Sequence, residues 1–476
     1  MKQTARILLV LAALLLVAAP AAAQANFGKY VALGDSLTAG YLSGGLIDEA
    51  QERSYPALIA RQAGISGFQL PLAGAPGIPP LLSIQGFANG SPVIRPRAAN
   101  PGPPLNLNLQ RPYDNLAVPG FDAAEILNAV SVPSNPLSDL VLRGLGTQVQ
   151  QALVQQPTFV TVWAGNNDVL GAAISGIVID GVTLTRVQDF LAAYRTILGA
   201  VAQSGAQMAV ANVPDVTALP YVNTIPPFVV NPATRQPVLD PGGNFIPLIG
   251  PNGPMGLGDK VLLPASALLA QGIGIPAQLG GTGQPLPDNV HLTRTELTTI
   301  RERTSAINLV IRAEAERVGA AVVDVQGFFD DVVRDGFAVG GGIVYTVDFF
   351  TGGIFSYDGV HPTPMGYAVV ANLFIDAINQ RFNDDVPLVD LGPFVFGPDG
   401  SAGATIPLPG LGNGTPVFAN AAYEALRVSM GVPSRQELER AKRRRGRNPA
   451  APEAPGAPGA VETPAAERPA ARRGLR

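Results

Sequence analysis

Apolar runs four to eight residues long alternate along this chain with stretches whose apolar residues recur at helical spacing. The clearest run covers 157–164, P-T-F-V-T-V-W-A. It is β-branched and aromatic, the pattern of a strand buried on both faces. Residues 30–33, 206–212 and 320–325 predict further strands. Between them the spacing predicts an amphipathic helix over 187–203, a long charged-faced helix over 297–318 that stops at Gly319, and a closing helix over 363–382. Ser54 as N-cap with Gly64 beyond the end predicts a short helix over 54–64, and Phe121, Ala124, Ile126-Leu127 and Val130 predict another over 121–130. Strands that alternate with helices make a parallel sheet covered on both faces, an α/β fold.

Two regions break the pattern. Residues 70–112 are saturated with Pro and Gly and show no period, which predicts a long irregular excursion. In 213–289, prolines from Pro214 to Pro254 exclude long helices and central strands. That segment still carries Phe228-Val229-Val230, Phe245-Ile246 and Val261-Leu262-Leu263, too apolar for a solvated linker. The expectation is an ordered insertion packed over one end of the sheet, walling a pocket there.

Composition adds limits. Over 476 residues, 47% hydrophobic and 14% charged residues allow a large core, while 54 Gly and 45 Pro require long loops. Lys2 and Arg6, the apolar stretch from Ile7 to Ala19 and the small residues Ala21-Ala22-Ala23 read as a signal peptide over 1–25. The apolar stretch is short of the ~20 residues that a spanning helix needs. The expected location is therefore the periplasm, surface or exterior of a bacterium. The chain has no cysteine, so no disulfide and no lipid-anchoring cysteine is available. From Gly431 onward 11 Lys and Arg face 5 Asp and Glu, leaving 21 against 31 before it. The acidic body argues against nucleic acid as a partner. The chain divides into 26–383 as the main domain, 384–435 as a Pro/Gly-rich extension and 436–476 as a basic Ala/Pro/Arg tail. That tail is too poor in apolar residues to order itself and suits contact with anionic lipid or cell-wall polymer.

The chemistry centres on 31–41, V-A-L-G-D-S-L-T-A-G-Y. A strand stops at Gly34, and Asp35-Ser36 follow at the carboxyl edge of the sheet, where open α/β folds bind ligands. A hydroxyl exposed there can serve as nucleophile if a base takes its proton. The chain has two histidines, and His361 stands three residues after Asp358 in S-Y-D-G-V-H-P, so the aspartate can hold its ring in one tautomer. His291, in P-D-N-V-H-L-T, reads as structural or at a cleft rim.

G-D-S-L near one end and D-G-V-H-P near the other resemble the SGNH/GDSL hydrolase family of esterases and lipases. Two further blocks in family order extend the resemblance: N-L-A-V-P-G at 115–120 and W-A-G-N-N-D-V at 163–169. It implies a three-layer flavodoxin-like sandwich with a central parallel sheet, and an acyl-enzyme formed on Ser36 with His361 as base and Asp358 as orienter. It also implies an oxyanion hole from the N–H groups of Ser36 and Gly120 with the Asn167 amide, and supporting roles for Asp35 and Asp168. Such chemistry needs no metal or organic cofactor. The implied substrate is a carboxylic ester of a small molecule, lipid or glycan. A carbohydrate O-deacetylase on the same triad and a binding module that kept the fold are the alternative classes.

Overall fold

The computed structural model describes residues 24–88, 91–232, 234–340, 342–396 and 416–447. The predicted signal peptide, apart from its last two residues, lies outside the described residues, as does the tail beyond 447. In chain order the labelled elements begin with β1 (Tyr30–Gly34), α1 (Ser36–Ala39), α2 (Tyr55–Gln62), α3 (Ala123–Asn128), α4 (Gln148–Val154) and β2 (Phe159–Trp163). Next come α5 (Asn167–Ser175), α6 (Val187–Gln203), β3 (Gln207–Ala211), α7 (Arg294–Val318) and β4 (Ala321–Val323). α8 (Val325–Asp335), α9 (Pro364–Phe382), α10 (Asn420–Ser429) and α11 (Arg435–Arg447) complete the set.

The four strands form one parallel sheet in the order β1-β2-β3-β4. An extended segment joins its free edge: Ala32 N–H donates to Asp114 O at 2.9 Å and Leu116 N–H to Ala32 O at 3.0 Å. With 114–118 counted second in chain order, the spatial order becomes 2-1-3-4-5, the flavodoxin-like doubly wound arrangement. Alternate residues separate the two faces. Val31, Leu33, Val160, Val162, Met208 and Val210 pack with α6 and α7 on one side. Tyr30, Ala32, Phe159, Trp163, Ala209 and Ala211 pack with α2 and α9 on the other. The sheet is thus the middle of three layers, and the order in which the chain adds strands reverses between β1 and β2.

Several expectations need correction. The excursion 70–112 contains an antiparallel hairpin, Leu82–Ala88 with Ser91–Pro96, to which Val417–Phe418 adds a parallel strand. Ser54 precedes α2 but makes no side-chain cap, whereas Asp122 and Glu125 close a full capping box on α3. β4 ends at Val323 because Asp324 turns outward to cap α8, accepting from Gly327 N–H.

The segment 213–289 folds into short pieces with its own small core of Ile225, Val229, Leu248, Met255, Val261 and Leu286. Most of it packs on itself instead of walling a pocket. Finally, residues 436–447 of the predicted disordered tail are helical, in α11. Ser434 and Glu437 cap that helix reciprocally, Leu438 buries against Ile177 and Ile179, and Lys442 pairs with Asp288. One buried leucine and one ion pair supply the anchorage that tail composition hides.

Candidate active site

β1 delivers the first group. Gly34 pairs with Trp163 at the carboxyl end of the sheet, and no side chain fits there: a Cβ would lie 2.2 Å from Thr38 Oγ1 and 2.6 Å from Trp163 O. Gln148 clamps the turn, accepting from Gly34 N–H at 3.0 Å and donating to Gly34 O at 2.9 Å. Asp35 caps α1 by accepting from Leu37 N–H at 3.0 Å, and its other oxygen accepts from Asn166 Nδ2 at 2.8 Å. Burial drives the Asp35 carboxyl up to about 6, against the opposing effect of those hydrogen bonds. Ser36, first residue of α1, is buried at 2% exposure, so its hydroxyl does not face open solvent as the sequence had suggested.

The second group arrives 325 positions later in the chain. His361 Nε2 lies 2.9 Å from Ser36 Oγ and Nδ1 lies 2.9 Å from Asp358 Oδ2. Asp358 is fully buried yet well solvated by protein. Its Oδ1 accepts from Val360 N–H at 2.9 Å and His361 N–H at 2.8 Å, and its Oδ2 accepts from Gly44 N–H at 2.9 Å. Burial raises its carboxyl pKa, but His361 and these donors outweigh it, leaving the pKa below the ordinary carboxylate value. Tyr41 leans on the other side of the imidazole, ring centroids 4.7 Å apart at 57°. The row Ser36–His361–Asp358 can pass a proton from hydroxyl to ring while the carboxylate fixes the tautomer.

Gly120 sits at the end of the edge segment 114–118, which Val118 N–H ties to Gly34 O at 3.3 Å. Its φ of +86° and the backbone against it exclude a side chain. Asn167, at the start of α5, donates its Nδ2 to Phe121 O at 3.0 Å and so is joined to the Gly120 turn. Asp168 accepts from Ala123 N–H at 3.1 Å, and burial followed by the charge of Asp122 pushes its carboxyl well above the ordinary range. Both therefore brace the turn carrying Gly120. His291 stands apart just after the insertion, buried on the two-residue strand His291–Leu292, with Nε2 3.6 Å from Asp259 Oδ2.

A cavity of about 90 Å³ opens beside Ser36 and His361. Its wall is almost wholly apolar, built by Phe328 and Phe329 of α8, Phe355, and Val369 and Val370 of α9. From the insertion, Pro214, Val216 and Leu219 reach it, all from the first seven residues of that segment. Among the described residues no cluster of His, Cys, Asp and Glu could hold a metal ion. The site residues missed by sequence reasoning are Asn166, Gln148, Gly44 and Tyr41. Tyr41 alone carried a local signal, as the aromatic that ends the nucleophile stretch.

The family whose model matches the chain defines a hydrolase acting on ester bonds. The model of the family "GDSL-like Lipase/Acylhydrolase" matches residues 30–374, and the chain belongs to that family. Solved structures similar to it include a GDSL-like lipase from Parabacteroides merdae, 12% identical over 76% of this chain and 99% of that one, TM-score 0.32. An acetylxylan esterase from Geobacillus stearothermophilus is 11% identical over 78% and 100% of the two chains, TM-score 0.34. An α/β hydrolase from the metagenome of Lake Arreo is 14% identical over 75% and 96%, TM-score 0.33. No curated protein matches the chain.

Proposed function

We propose that the protein is an exported serine esterase that cleaves esters of short to medium alkyl acids through an acyl-enzyme on Ser36. The observation that carries the reading is His361 Nε2 at 2.9 Å from Ser36 Oγ, at the mouth of an apolar cavity. Ser36 Oγ attacks the ester carbonyl while His361 Nε2 takes its proton. Asp358 stabilises the imidazolium and keeps Nδ1–H pointed inward. The N–H groups of Ser36 and Gly120, with Asn167, hold the carbonyl oxygen as it becomes negative. The C–O bond to the alcohol breaks, and the alcohol leaves with the proton from His361. Water, deprotonated by the same ring, then cleaves the acyl-enzyme and regenerates the serine hydroxyl.

The apolar wall favours an alkyl acyl group over the acetate of a polysaccharide, because acetate leaves most of that surface unfilled. Export rests on the N-terminal pattern of 1–25. Contact with an anionic surface rests on the basic tail and on the exposed Arg435, Arg440, Arg443 and Arg444 of α11. The decisive experiment is labelling with a fluorophosphonate beside turnover of p-nitrophenyl butyrate. Wild type should label once, at Ser36, and Ser36→Ala should remain folded without labelling or turnover. Turnover retained by that variant, or labelling at another serine, overturns the reading.

A further inference from the structure

The family match ends at Phe374, yet a segment more than forty residues further on is built into the catalytic region. Val417–Phe418 pairs with the hairpin strand, and Phe418, fully buried, donates its N–H to Ser266 Oγ at 2.8 Å. α10 then sends Ala422 and Leu426 into the main core, and Met430, just past its end, follows them. Its last turn meets Gly120. A Cβ on Gly120 would lie 2.5 Å from Ser429 O and 2.9 Å from the Met430 carbonyl carbon, and one on Gly431 would lie 3.4 Å from Gly120 O.

Ser429 reaches a second target. Its hydroxyl donates to Ala425 O at 2.9 Å and faces the buried Tyr41 phenol, whose oxygen closes no well-aligned hydrogen bond. The ring of Tyr41 backs His361, and Tyr367 holds the backbone of Tyr41 by donating to its carbonyl at 2.5 Å. One turn of backbone therefore abuts both the glycine assigned to the oxyanion and the aromatic behind the base.

We infer that Ser429–Gly431 is a positioning element of the active site, setting the Gly120 peptide and the His361 ring from outside the family domain. The inference rests on the triad reading above. Its energetic basis is geometric: misplacing a catalytic group by about 1 Å costs roughly 10²-fold, and the loss of one oxyanion donor costs ~10²–10³. The segment does not touch the apolar cavity, so substrate binding should be spared.

The test uses the full chain with Ser429→Ala, Met430→Ala and the conservative Met430→Leu, measuring p-nitrophenyl butyrate hydrolysis and the histidine ring NMR signals. With two histidines in the chain the two sets of signals are separable. Expected are a kcat at least tenfold lower in Met430→Ala with KM within twofold, recovery in Met430→Leu, and displaced His361 signals in Ser429→Ala with His291 unmoved. The oxyanion part has its own measure, the rate ratio between the ester and its thionoester, which should shrink in Met430→Ala because sulfur accepts hydrogen bonds weakly. Folded variants with wild-type kcat and unmoved His361 signals overturn the inference, as does a loss carried by KM alone. A wild-type protein without esterase activity overturns the triad reading instead, and the His361 signals still decide whether the segment sets that ring.

Discussion

If the cavity beside Ser36 receives the acyl chain, its size fixes the chain-length profile. A volume of about 90 Å³ equals roughly three water-sized groups. Each methylene moved from water into an apolar site contributes about 0.8 kcal/mol, or about fourfold in kcat/KM. Three of them give about 2.4 kcal/mol, so the rate should climb about 50-fold from acetyl to pentanoyl esters and then level or fall. Phe328 closes one part of the wall and is itself half-buried, packing edge-on to Phe337 at 5.6 Å. Phe328→Ala should therefore be tolerated by the fold and should move the optimum several carbons longer. The assay is kcat/KM over p-nitrophenyl esters from acetate to dodecanoate, with circular dichroism to verify the sheet. A flat profile in wild type, or a variant that slows every ester by one common factor, refutes the assignment of this cavity to the acyl group.

Asp358→Asn should lower kcat by about 10³–10⁴, since an amide at that position stabilises the wrong imidazole tautomer; a loss under tenfold in steady-state kinetics would contradict the role. His361→Ala should lose several orders of magnitude while His291→Ala stays within about tenfold, and a reversed pair of kcat values would refute the assignment. Glu125, half-buried in the capping box of α3, has its carboxyl pushed up to about 7, first by burial and then by the charge of Asp122. The folded state thus holds a proton that the unfolded chain releases near 4.5, so stability should fall as pH rises from about 4.5 to 7. Glu125→Gln keeps the reciprocal cap, so in urea titrations at pH 8 it should gain up to about 2 kcal/mol over wild type, with a smaller difference at pH 4.5. A variant less stable than wild type at pH 8 contradicts that account.

How legible each part was depends on the reach of the interaction that forms it. β1 and β2 are uninterrupted apolar runs, and the helices over 187–203 and 363–382 repeat their apolar face for several turns, so local spacing sufficed. The D-x-x-H spacing likewise keeps Asp358 and His361 within one turn. The hairpin was hidden, although Asn89-Gly90, a strong two-residue turn signal, stands between its strands. Pro92 and Pro96 spoke against a strand, yet they stand opposite Phe87 and Leu82 in the hairpin, and the third strand pairs with Val93 and Ile94 between them. The helical start of the tail was hidden because its anchors, Ile177, Ile179 and Asp288, are all more than 140 residues away. Tyr41, Asn166 and Ser429 belong to the same class. Each gains its place from a partner across the fold, which local spacing does not reveal.

The two buried aspartates near Ser36 differ in how the fold treats their charge. Asp35 and Asp358 are both fully buried, so desolvation pushes both carboxyls upward. Asp358 reverses the effect chiefly through the imidazole in direct contact, with the N–H groups of His361 and Val360 adding to it. Asp35 has one backbone donor and one neutral amide, and its carboxyl remains raised, at about 6. Charge is therefore concentrated where it can orient and stabilise the imidazolium. The Asp35 carboxyl beside Ser36 takes up a proton more readily, and only below about pH 6 does it carry mostly no charge that would oppose an oxyanion forming on the substrate. The loop Ser43-Gly44 adds to the shell around Asp358: Gly44 N–H donates to Asp358 Oδ2 at 2.9 Å, and Ser43 N–H donates to Ser356 Oγ at 2.8 Å. A residue shortly after Ser36 thereby hydrogen-bonds a carboxylate 314 positions later, so the two ends of the domain form the site as one unit.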